Sequence, residues 1–371
     1  MAKVKAIVSV TNDIYTDQRV RKVCDFLYSE GYDITLVGRK LKTSQPINGR
    51  PYKTVRFRLW FNKGALFYAN YNLRLFFYLL FNKANLLLAN DLDTLYANHW
   101  ARKFKRKCRL IYDTHEYYCG VPELVERPGI QKFWRAIEKR TVPKVDRMYT
   151  VNESIAELYR KEYEREVLVV RNISDFKGLP KPKTRTELGL PEDQKIVIMQ
   201  GAGINIQRGA EELIAAIPLL KSTTLIFVGD GDVIPQLKVQ VKKMDLTARV
   251  LFFGKRPYDE LMQFTLASDL GVSIDKNTNI NYRFSLPNKI FDYIHAGIPL
   301  LVSDLPEVKR VVKTHEVGLV IDSHEPAEIA HKISAILDHP EKVKKFRANA
   351  QKASKSLTWA QECETLKRIY S

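Results

Sequence analysis

The sequence alternates short apolar runs with longer stretches of helical periodicity, and this alternation restricts the fold more than any other feature. A short apolar run between turn residues is typical of a strand buried on both faces. Strands that alternate with helices predict parallel sheets with helices on both faces. We therefore predict an α/β protein made of doubly wound sheets. The predicted strands are residues 5–10, 34–37, 86–89, 110–112, 147–151 and 167–170, followed by 196–200, 224–228, 250–253, 270–274, 300–302 and 318–321.

A segment rich in Pro and Lys separates the two sets of strands. It covers residues 177–194, KGLPKPKTRTELGLPEDQ, and contains few apolar residues. A chain of 371 residues also exceeds the usual size of a single hydrophobic core. We predict an N-terminal domain (1–176), a linker (177–194), a second domain (195–355) and a C-terminal helix (356–371). Doubly wound domains bind ligands at the carboxyl ends of their strands, so we expect the site in the cleft where the two domains face each other.

Positive charge is concentrated in the first half of the chain. The net charge is +18, and residues 1–180 hold 33 Lys and Arg against 19 Asp and Glu, whereas the remainder holds 27 against 23. A basic domain points to an anionic partner, namely nucleic acid, an acidic membrane surface or phosphorylated substrates. No recognition motif accompanies the charge, and the aromatic residues cluster in one apolar segment, so we expect no nucleic-acid partner. The basic run at 102–109, RKFKRKCR, has a simpler interpretation as a solvated helix face.

The four cysteines (Cys24, Cys108, Cys119 and Cys363) form no CxxC pair and no cluster of metal ligands. They are expected as free thiols of a reducing compartment. The first apolar run ends at Thr11 and is too short for a signal peptide. No window approaches the ~18 apolar residues of a transmembrane helix. These features predict a cytoplasmic protein, with peripheral attachment to the inner face of the cytoplasmic membrane as a further option.

The stretch SLPNKIFDYIHAGIPLLVSD, residues 285–304, predicts a short helix followed by a buried strand. Pro287 and Asn288 precede a helical pattern over residues 289–295, and Gly297 ends it. Helix N-termini offer free N–H groups and a partial positive charge, so this start predicts a place to hold phosphate. Asp292 lies on the same helix face as the Lys at position 289 and can accept hydrogen bonds from sugar hydroxyls. The alternative is an ordinary amphipathic helix of an α/β domain.

This segment resembles the signature of GT-B glycosyltransferases close to family four, in which two acids separated by seven residues precede a small-residue run ending in Gly-x-Pro. Asp292 stands at the second acid and residues 295–299 match the end of the signature, but Phe284 replaces the first acid, which normally sits beside the transferred sugar. The resemblance implies two Rossmann-like domains facing across a cleft, a second domain that binds a nucleotide-sugar, and a C-terminal helix that crosses back to the first. The donor-binding residues that it implies here are Ser285, Pro287, Asn288, Lys289 and Asp292.

The second predicted domain opens with IVIMQGAGINIQRG, a strand that ends in a loop containing Gly201, Gly203 and Arg208. This loop does not match the dinucleotide-binding motif, because the third glycine and the following acid are missing. It resembles the family's diphosphate loop, which implies that Arg208 binds two oxygens of the donor's diphosphate at once. A second basic residue of that loop is absent, and Lys289 is expected to supply its charge. The alternative for Arg208 is a surface cation near a helix start.

Two further segments resemble parts of the family's donor site. FVGDGD, residues 227–232, implies that Gly229 and Asp230 lie near the nucleotide, and FFGKRPYDEL, residues 252–261, implies the same for Lys255 and Arg256. Asp-x-Asp pairs at 91/93 and 230/232 match the pattern of metal-dependent transferases, but such pairs recur by chance, and the resemblance implies no bound metal. We therefore expect no metal and no cofactor, with a nucleotide-diphosphate-sugar as co-substrate.

In the first predicted domain, polar residues follow strands where the cleft is expected. They come after the strands that end near Val10, Ala89 and Tyr112. The string DTHE at 113–116 resembles a recurrent element of the family with its histidine near the reacting sugar, although a lone histidine is more often structural. The resemblance thus implies that His115 orients the sugar. The residues expected on the acceptor side are Asn12, Asp13, Asp17, Arg19, Asn90, Asp91 and Glu116.

Residues 59–88, LWFNKGALFYANYNLRLFFYLLFNKANLLL, are dense in aromatic side chains and carry Lys63, Arg74 and Lys83. The simpler interpretation of this segment is a buried helix. The alternative is an aromatic and basic face that rests on an anionic membrane, where a lipid-linked acceptor would lie. The surplus of positive charge in the same domain favours the alternative.

The resemblance implies a metal-independent, retaining glycosyltransferase of the hexosyltransferase type. It would move a sugar from a nucleotide-diphosphate-sugar to a glycan or lipid-linked acceptor in cell-surface polysaccharide synthesis. The expected catalytic residues are His115, Arg208, Lys289 and Asp292, since cations at the diphosphate stabilise the charge that develops on the leaving group. Two alternatives stay open. One is a non-catalytic GT-B-like subunit that binds nucleotide-sugar or glycan, which Phe284 favours, and the other is a sugar-nucleotide epimerase on the same fold, which needs no acceptor.

Overall fold

The structure, a computed structural model, describes residues 3–174, 178 and 181–371. The chain divides into two compact units. The first comprises Met1–Arg171 together with Glu362–Ser371, and the second comprises Asn172–Gln361. Each unit is built around its own parallel sheet. Among the described residues, no helix is both long and apolar enough to cross a membrane.

The first unit contains a seven-stranded sheet in the order β3-β2-β1-β4-β5-β6-β7. All neighbouring strands are parallel. The chain winds outward from β1 to one edge and then restarts at β4 beside β1, so the order reverses between these two strands, where doubly wound sheets bind their ligands. The strands are β1 (Lys5–Asp13), β2 (Asp33–Lys40), β3 (Lys53–Arg58), β4 (Leu86–Asn90), β5 (Arg109–Thr114), β6 (Arg147–Thr150) and β7 (Leu168–Val169).

The helices of the first unit lie between these strands. The first of them begins after Asp17, whose carboxylate accepts a hydrogen bond from the backbone N–H of Val20, as an N-cap residue does. Its apolar residues Val23 and Leu27 recur at helical spacing and are fully buried. The helices are α1 (Gln18–Ser29), α2 (Gly64–Phe81), α3 (Leu92–Arg102), α4 (Pro122–Val125), α5 (Pro128–Thr141) and α6 (Glu153–Tyr163).

The second unit contains a six-stranded parallel sheet in the order β10-β9-β8-β11-β12-β13. Its order reverses between β8 and β11. The strands are β8 (Lys195–Gly201), β9 (Thr223–Gly229), β10 (Val250–Phe252), β11 (Leu270–Ser273), β12 (Leu300–Ser303) and β13 (Gly318–Ile321). The helices are α7 (Ala210–Ala216), α8 (Ile234–Lys243), α9 (Tyr258–Leu266), α10 (Ile280–Arg283), α11 (Lys289–His295), α12 (Pro306–His315), α13 (Pro326–Leu337), α14 (Pro340–Ser354) and α15 (Trp359–Tyr370), of which residues 362–370 belong to the first unit.

The core of the second unit lies on both faces of its sheet, as the near-continuous apolar strands require. Val197 and Met199 of β8 pack in one cluster with residues of α7, α8 and α13. Ile196 and Ile198 point to the opposite face and pack in a second cluster with residues of α9, α11 and α12. Both faces of this strand are therefore buried.

The predicted α/β class with two doubly wound parallel sheets is confirmed, whereas one strand was missed. Residues 53–58, KTVRFR, form the edge strand β3. The pattern did not indicate a strand, because its Lys and Arg residues are typical of a solvated segment. Of the segment predicted as a linker, residues 177, 179 and 180 lie outside the described residues. Its described remainder contains a 3₁₀ helix (Thr186–Leu188), and Arg185 forms an ion pair with Asp269 of the second unit.

Candidate functional site

Two glycine loops meet at the carboxyl ends of β8 and β9 in the second unit. Gly201 and Gly229 are register partners in the sheet, and the backbone N–H of Asp230 donates to the carbonyl of Gly201 at 3.0 Å. A Cβ on Gly229 would lie 1.8 Å from that carbonyl oxygen, so only glycine fits there. The N–H of Ile204 then donates to the carbonyl of Asp230 at 3.0 Å. These contacts fix both loops relative to the sheet.

Arg208 is held against the end of β11 by the glycine that follows it. Gly209 has a φ of +77°, and a Cβ there would lie 2.4 Å from the carbonyl oxygen of Ile274. The Arg208 guanidinium forms an ion pair with Asp275 and stacks over the Tyr282 ring at 4.1 Å. Its Nε is buried without a hydrogen-bond partner among the described residues. Arg208 is therefore ordered and partly enclosed, and it retains unused hydrogen-bonding capacity.

Lys289 lies near the same region of the second unit. It is the first residue of α11, and a Cβ on Gly201 would lie 3.7 Å from its Cε. Burial lowers the pKa of Lys289, against the opposing attraction of Asp275. Ser285 also donates to Asp275, from Oγ at 3.3 Å. Arg208 is thus ion-paired with the buried Asp275, and Lys289 lies beside the Gly201 loop within electrostatic range of the same carboxylate.

Asp275 and Tyr282 are the residues of this cluster that the sequence reasoning missed. Asp275 is buried, and its Oδ1 has no hydrogen-bond partner in the described part of the chain. Asp275 could have been found, because it follows the buried strand β11 at its carboxyl end, the position that singled out Asn90 and Asp91. Tyr282 offered no such signal, since its ring reaches Arg208 from a separate short helix, α10.

Asp292 lies one turn into α11 and is buried among hydrogen-bond donors. Its Oδ1 accepts from Ser174 Oγ and Tyr258 OH, each at 2.9 Å, and its Oδ2 accepts from Gln200 Nε2 at 3.1 Å. The expected role for this carboxylate was the binding of ribose hydroxyls. In the structure it is 4% exposed and joins α11 to β8, α9 and residue 174, so its immediate effect is to position the helix that carries Lys289.

The remaining donor-side candidates surround this cluster at varying exposure. Lys255, Arg256 and Asp230 are exposed. Arg256 donates to the Phe253 carbonyl at 3.0 Å. At the start of α11, the Asn288 carbonyl accepts from the backbone N–H groups of Phe291 and Asp292. Phe284, at the position of the missing acid, lies under the Arg283 guanidinium at 5.5 Å. Half-buried positions in this group are Gly201, Gly229, Ser285, Pro287 and Asn288, and Gly203 completes the first loop.

In the first unit, a chain of alternating charges crosses the carboxyl ends of β4 and β5. Asp91 Oδ2 lies 3.1 Å from His115 Nδ1, and the His115 backbone N–H donates to Asp91 Oδ1 at 2.9 Å. On the other side of the ring, Nε2 lies 3.4 Å from Asp113 Oδ2. Asp113 in turn forms a two-point ion pair with Arg19, at 2.8 and 3.0 Å. The imidazole is thus placed between two carboxylates.

This arrangement favours a cationic imidazole. Burial alone would lower the pKa of His115, but Asp91 and Asp113 outweigh burial and raise it well above its usual value. Burial likewise opposes ionisation of Asp113, yet Arg19 and His115 hold its pKa at about 2. The ring is about one fifth exposed. His115 is therefore a half-buried cation at the end of the sheet.

Asp91 holds its side chain in place through an unusual backbone conformation. Its φ of 58° and ψ of 163° lie in a region that residues other than glycine rarely adopt. The N–H of Asp91 donates to the Asp113 carbonyl at 2.8 Å, continuing the pairing of β4 with β5. Strain of this kind costs about 1–3 kcal/mol and persists only where the surroundings enforce it. Here the conformation aims the carboxylate at His115.

Arg19 was expected to face an acceptor, and the structure corrects this. The side chain is 4% exposed, with Nη1 donating to the Val170 carbonyl at 2.8 Å and the rest of the guanidinium paired with Asp113. A guanidinium committed to three acceptors inside the unit has no face left for a substrate. Arg19 instead positions Asp113, and through it His115.

The other acceptor-side candidates stabilise the loops around His115. Asn90 is buried and donates to the Ser9 carbonyl at 3.1 Å. Asn12 donates to Asp17, the N-cap of α1, at 3.2 Å, and Asp13 accepts from the Tyr15 N–H at the same distance. Glu116 is half-buried, and burial, with a further contribution from Asp91, raises its pKa to about 7. Among the described residues, no group of three or more His, Cys, Asp or Glu could hold a metal ion.

Two family models match the chain. The model described as glycosyl transferases group 1 matches residues 180–353, and the model described as glycosyltransferase family 4 matches residues 17–175. The first falls on the unit that holds Arg208 and Lys289, and the second on the unit that holds His115.

Curated relatives match the chain at low sequence identity. The chain is 25% identical over 252 residues to a D-inositol 3-phosphate glycosyltransferase of Thermobispora bispora, covering 63% of this chain and 58% of that protein. It is also 25% identical over 250 residues to the protein of that name from Nocardia farcinica, covering 63% and 54%. The chain thus spans less than two thirds of the length of these relatives.

Solved structures share the fold along the whole chain. Sucrose-phosphate synthase from Thermosynechococcus elongatus has a TM-score of 0.80 at 18% identity, covering 99% of this chain and 98% of that one. Anabaena Alr3699/HepE, solved in complex with UDP and glucose, has a TM-score of 0.74 at 16% identity and covers 98% of each chain. Since the two family models together account for nearly all of the sequence, the chain belongs to the GT-B glycosyltransferases of the group 1 and family 4 type.

Proposed function

We propose that this glycosyltransferase takes its sugar from a nucleotide-diphosphate-sugar bound by the second unit. The observation that carries the proposal is that Arg208, which is ion-paired with Asp275, and Lys289, whose Cε would lie 3.7 Å from a Cβ on Gly201, are both placed at the loops that follow β8 and β11. Two cations next to backbone N–H groups of a glycine loop form a suitable site for a diphosphate. The buried Arg208 Nε, which has no partner among the described residues, could donate to a diphosphate oxygen there, whereas Asp275 Oδ1 could accept from a hydroxyl or N–H group of the donor.

The same cluster suits the chemistry of transfer. Breaking the bond between the anomeric carbon and the diphosphate leaves additional negative charge on the departing nucleotide. Arg208 and Lys289 would stabilise that charge where it develops, which is the largest contribution a fixed site makes to such a reaction. Burial lowers the pKa of Lys289, and the negative charge of an arriving diphosphate would act in the opposite direction and raise it. We propose that the reaction needs no metal and retains the anomeric configuration of the sugar.

His115 is proposed to orient the transferred sugar. Its Nδ1 lies against Asp91, whereas its Nε2 has no hydrogen-bond partner among the described residues and could donate to a sugar hydroxyl. We propose UDP as the first nucleotide to test, because the similar Anabaena protein was solved with UDP-glucose. The acceptor is proposed to be a glycan or lipid-linked molecule of cell-surface polysaccharide synthesis. That choice is supported by the similarity to WaaG, which is described as involved in lipopolysaccharide biosynthesis.

The test is nucleotide binding by the purified protein, followed as a shift in thermal midpoint and then by calorimetry. The panel contains UDP, GDP, ADP, CMP and their sugars. We expect one diphosphate to raise the midpoint of the native protein, and Arg208→Ala to weaken its binding by about tenfold or more, since a charge-assisted pair contributes about 1.5–3 kcal/mol. Lys243→Ala, which removes an exposed cation from the last turn of α8 outside the candidate site, is the matched control and should bind like the native protein. A panel without any binding nucleotide would contradict the proposal.

The position of Phe284 favours a second candidate, a subunit that binds nucleotide-sugar without turning it over. The two are separated by product analysis with the donor that binds. A sugar transferred to an added acceptor supports the transferase, and its anomeric configuration tests retention. Binding with no consumption of donor, across glycan and lipid-linked acceptors, supports the binding subunit. Conversion of the donor alone into its epimer would support the epimerase instead.

A further inference from the structure

Helix α2 of the first unit is apolar on two opposite faces. Its inward face consists of Phe67, Tyr71, Leu75 and Leu79, all of which are buried in the unit's core. The opposite face is also apolar, although it is exposed, and consists of Leu66, Leu73, Phe77 and Phe81. At 3.6 residues per turn, these four side chains project within about 80° of one another. An amphipathic helix packed on a core would carry polar residues there.

The exposed apolar surface continues beyond the helix. Trp60, 77% exposed, has its ring under the Arg74 guanidinium at 4.8 Å, and its backbone N–H donates to Asn70 Oδ1 of α2. At the other end, Phe104 is 67% exposed and its ring lies 6.3 Å from that of Phe76. We call the set of Trp60, Leu66, Leu73, Phe77, Phe81 and Phe104 the outer face. Contiguous exposed apolar surface of this kind marks an interaction site.

Positive charge borders the outer face. Residues 41–108 contain 13 Lys and Arg but only two acids, Asp91 and Asp93, both engaged around the His115 site. Lys105 donates to the carbonyl of Asn82 at 2.7 Å, which brings the basic loop 103–107 to the end of α2. Within the described residues, the exposed cations at the border form no ion pair with a carboxylate. They are Lys63, Lys83, Lys103, Arg106 and Lys107.

These observations select one kind of partner. A second copy of this chain would place two rims of Lys and Arg against each other, and like charges across an interface are costly. A bilayer with anionic headgroups instead matches the rim, while its interfacial region accepts Trp, Phe and Leu side chains. We propose that the outer face is a docking surface for an anionic lipid bilayer, on which α2 lies parallel to the membrane.

This inference deepens the proposed function, because it names the surface on which the transferase would meet a lipid-linked acceptor. The role of the outer face in catalysis rests on the proposed function, whereas its binding to a bilayer does not. Binding to vesicles depends on the outer face, whereas binding of nucleotides depends on Arg208 and Lys289 in the other unit. Failure of one experiment therefore leaves the other intact.

The experiment is co-sedimentation of the full chain with vesicles of phosphatidylcholine alone and of phosphatidylcholine mixed with phosphatidylglycerol. We expect binding to the mixed vesicles only, and weaker binding as salt is added, because salt screens the attraction of the basic rim. The double variant Leu73→Glu, Phe77→Glu should lower partitioning by about tenfold or more, since it removes apolar area and adds two charges of the wrong sign. Lys103→Glu with Lys107→Glu should lower it by a similar factor.

The matched control is Val239→Glu on α8 of the second unit, which is 51% exposed, close to the 47% of Phe77. It adds the same kind of charge to an exposed apolar helix position and should leave vesicle binding unchanged. Unaltered thermal midpoints show that the variants fold. The proposal is overturned if the native chain ignores mixed vesicles, or if the α2 variant binds them as tightly as the control. It is equally overturned if the native chain sediments as a dimer that the α2 variant dissociates.

Discussion

Asp91 and Asp93 stand two residues apart in the first unit, in different surroundings. Asp91 is partly exposed and lies against the cationic His115. Asp93 is buried, accepts from Thr11 Oγ1 at 2.6 Å through one oxygen, and has no hydrogen-bond partner for the other among the described residues. Burial, reinforced by the charge of Asp91, raises the pKa of Asp93 to about 8. Burial therefore favours the neutral, protonated form of Asp93 at neutral pH.

The neutral state of Asp93 predicts a pH dependence of stability. In the unfolded chain an aspartate loses its proton near pH ~3.9, whereas in the folded protein Asp93 keeps it until about pH 8. Between these values the folded state binds one more proton, so the free energy of unfolding falls as pH rises, by about 1.4 kcal/mol per pH unit from this group. Asp93→Asn cannot titrate and should lose that contribution. Urea unfolding between about pH 5 and pH 7 measures the difference in slope.

The exposed Asp25→Asn variant is the control for this measurement and should follow the native pH dependence. If Asp93→Asn and the native protein show the same slope, Asp93 is ionised in the folded state. Protonation of Asp93 also limits the charge next to Asp91, so that the Asp91 carboxylate remains available to His115. At the residue scale, the His115 site therefore depends on which of two neighbouring acids keeps its proton.

At the scale of elements, the second unit depends on the close meeting of two strand ends. The loops after β8 and β9 approach so closely that the Gly201 carbonyl occupies the place of a side chain on Gly229. Gly201 also lies beside Lys289, since a Cβ on Gly201 would be 3.7 Å from the Lys289 Cε. A rigid pair of loops keeps backbone groups and cations at fixed positions, which a binding site needs in order to avoid the entropy cost of ordering them.

Gly229→Ala should disrupt this element. The new Cβ would lie 1.8 Å from a backbone oxygen at a φ of +150°, so the loops must move apart. We expect a loss of about 3 kcal/mol in the free energy of unfolding, and weaker nucleotide binding with it. Gly254→Ala separates the two causes, because its φ is +66° but nothing lies within 4 Å of the new Cβ. That variant should lose only about 1 kcal/mol, and equal losses for both would show that the close approach has no role.

At the scale of the whole molecule, the last residues of the chain complete the first unit. Arg109 of β5 donates to the backbone carbonyls of Ile369, Tyr370 and Ser371 at 2.9–3.0 Å. Nearby, the hydroxyl groups of Tyr149 and Tyr370 lie 3.0 Å apart. Because these contacts join residues far apart in sequence, the first unit reaches its full stability only when the C-terminal helix is in place.

Glu362 tests this dependence. It is 4% exposed and accepts from the backbone N–H of Arg171 at 2.7 Å and from the guanidinium of the same residue. Glu362→Ala leaves these donors without their acceptor, and we expect the free energy of unfolding to fall by about 2–3 kcal/mol. Glu364→Ala removes an exposed acid of the same helix, paired only with Lys367 in the described contacts, and should change it by less than about 0.5 kcal/mol. Equal effects of the two variants would mean that the contact of Glu362 with Arg171 contributes no more than an exposed ion pair.

The sequence by itself determined the features that depend on near neighbours. Strand positions followed from apolar runs, and the helix predicted at residues 289–295 has those bounds in the structure, since Pro287, Asn288 and Gly297 act locally. The family resemblance rested on the same contiguous segment, and the family models confirm it. The edge strand β3 escaped prediction, because its alternating cations resemble a solvated segment.

Only the tertiary structure decided which side chains meet. Arg19 and Asp113 are 94 residues apart, and Arg208 and Asp275 are 67 apart, so no local pattern pairs them. Their contacts exist because the order of the parallel strands brings distant carboxyl ends to one edge of each sheet. The same packing turned Arg19 inward and enclosed Asp292 among three donors. Sequence pattern records local preference, whereas burial and pairing are set by the sheet order, and these decide what a charged residue can contact.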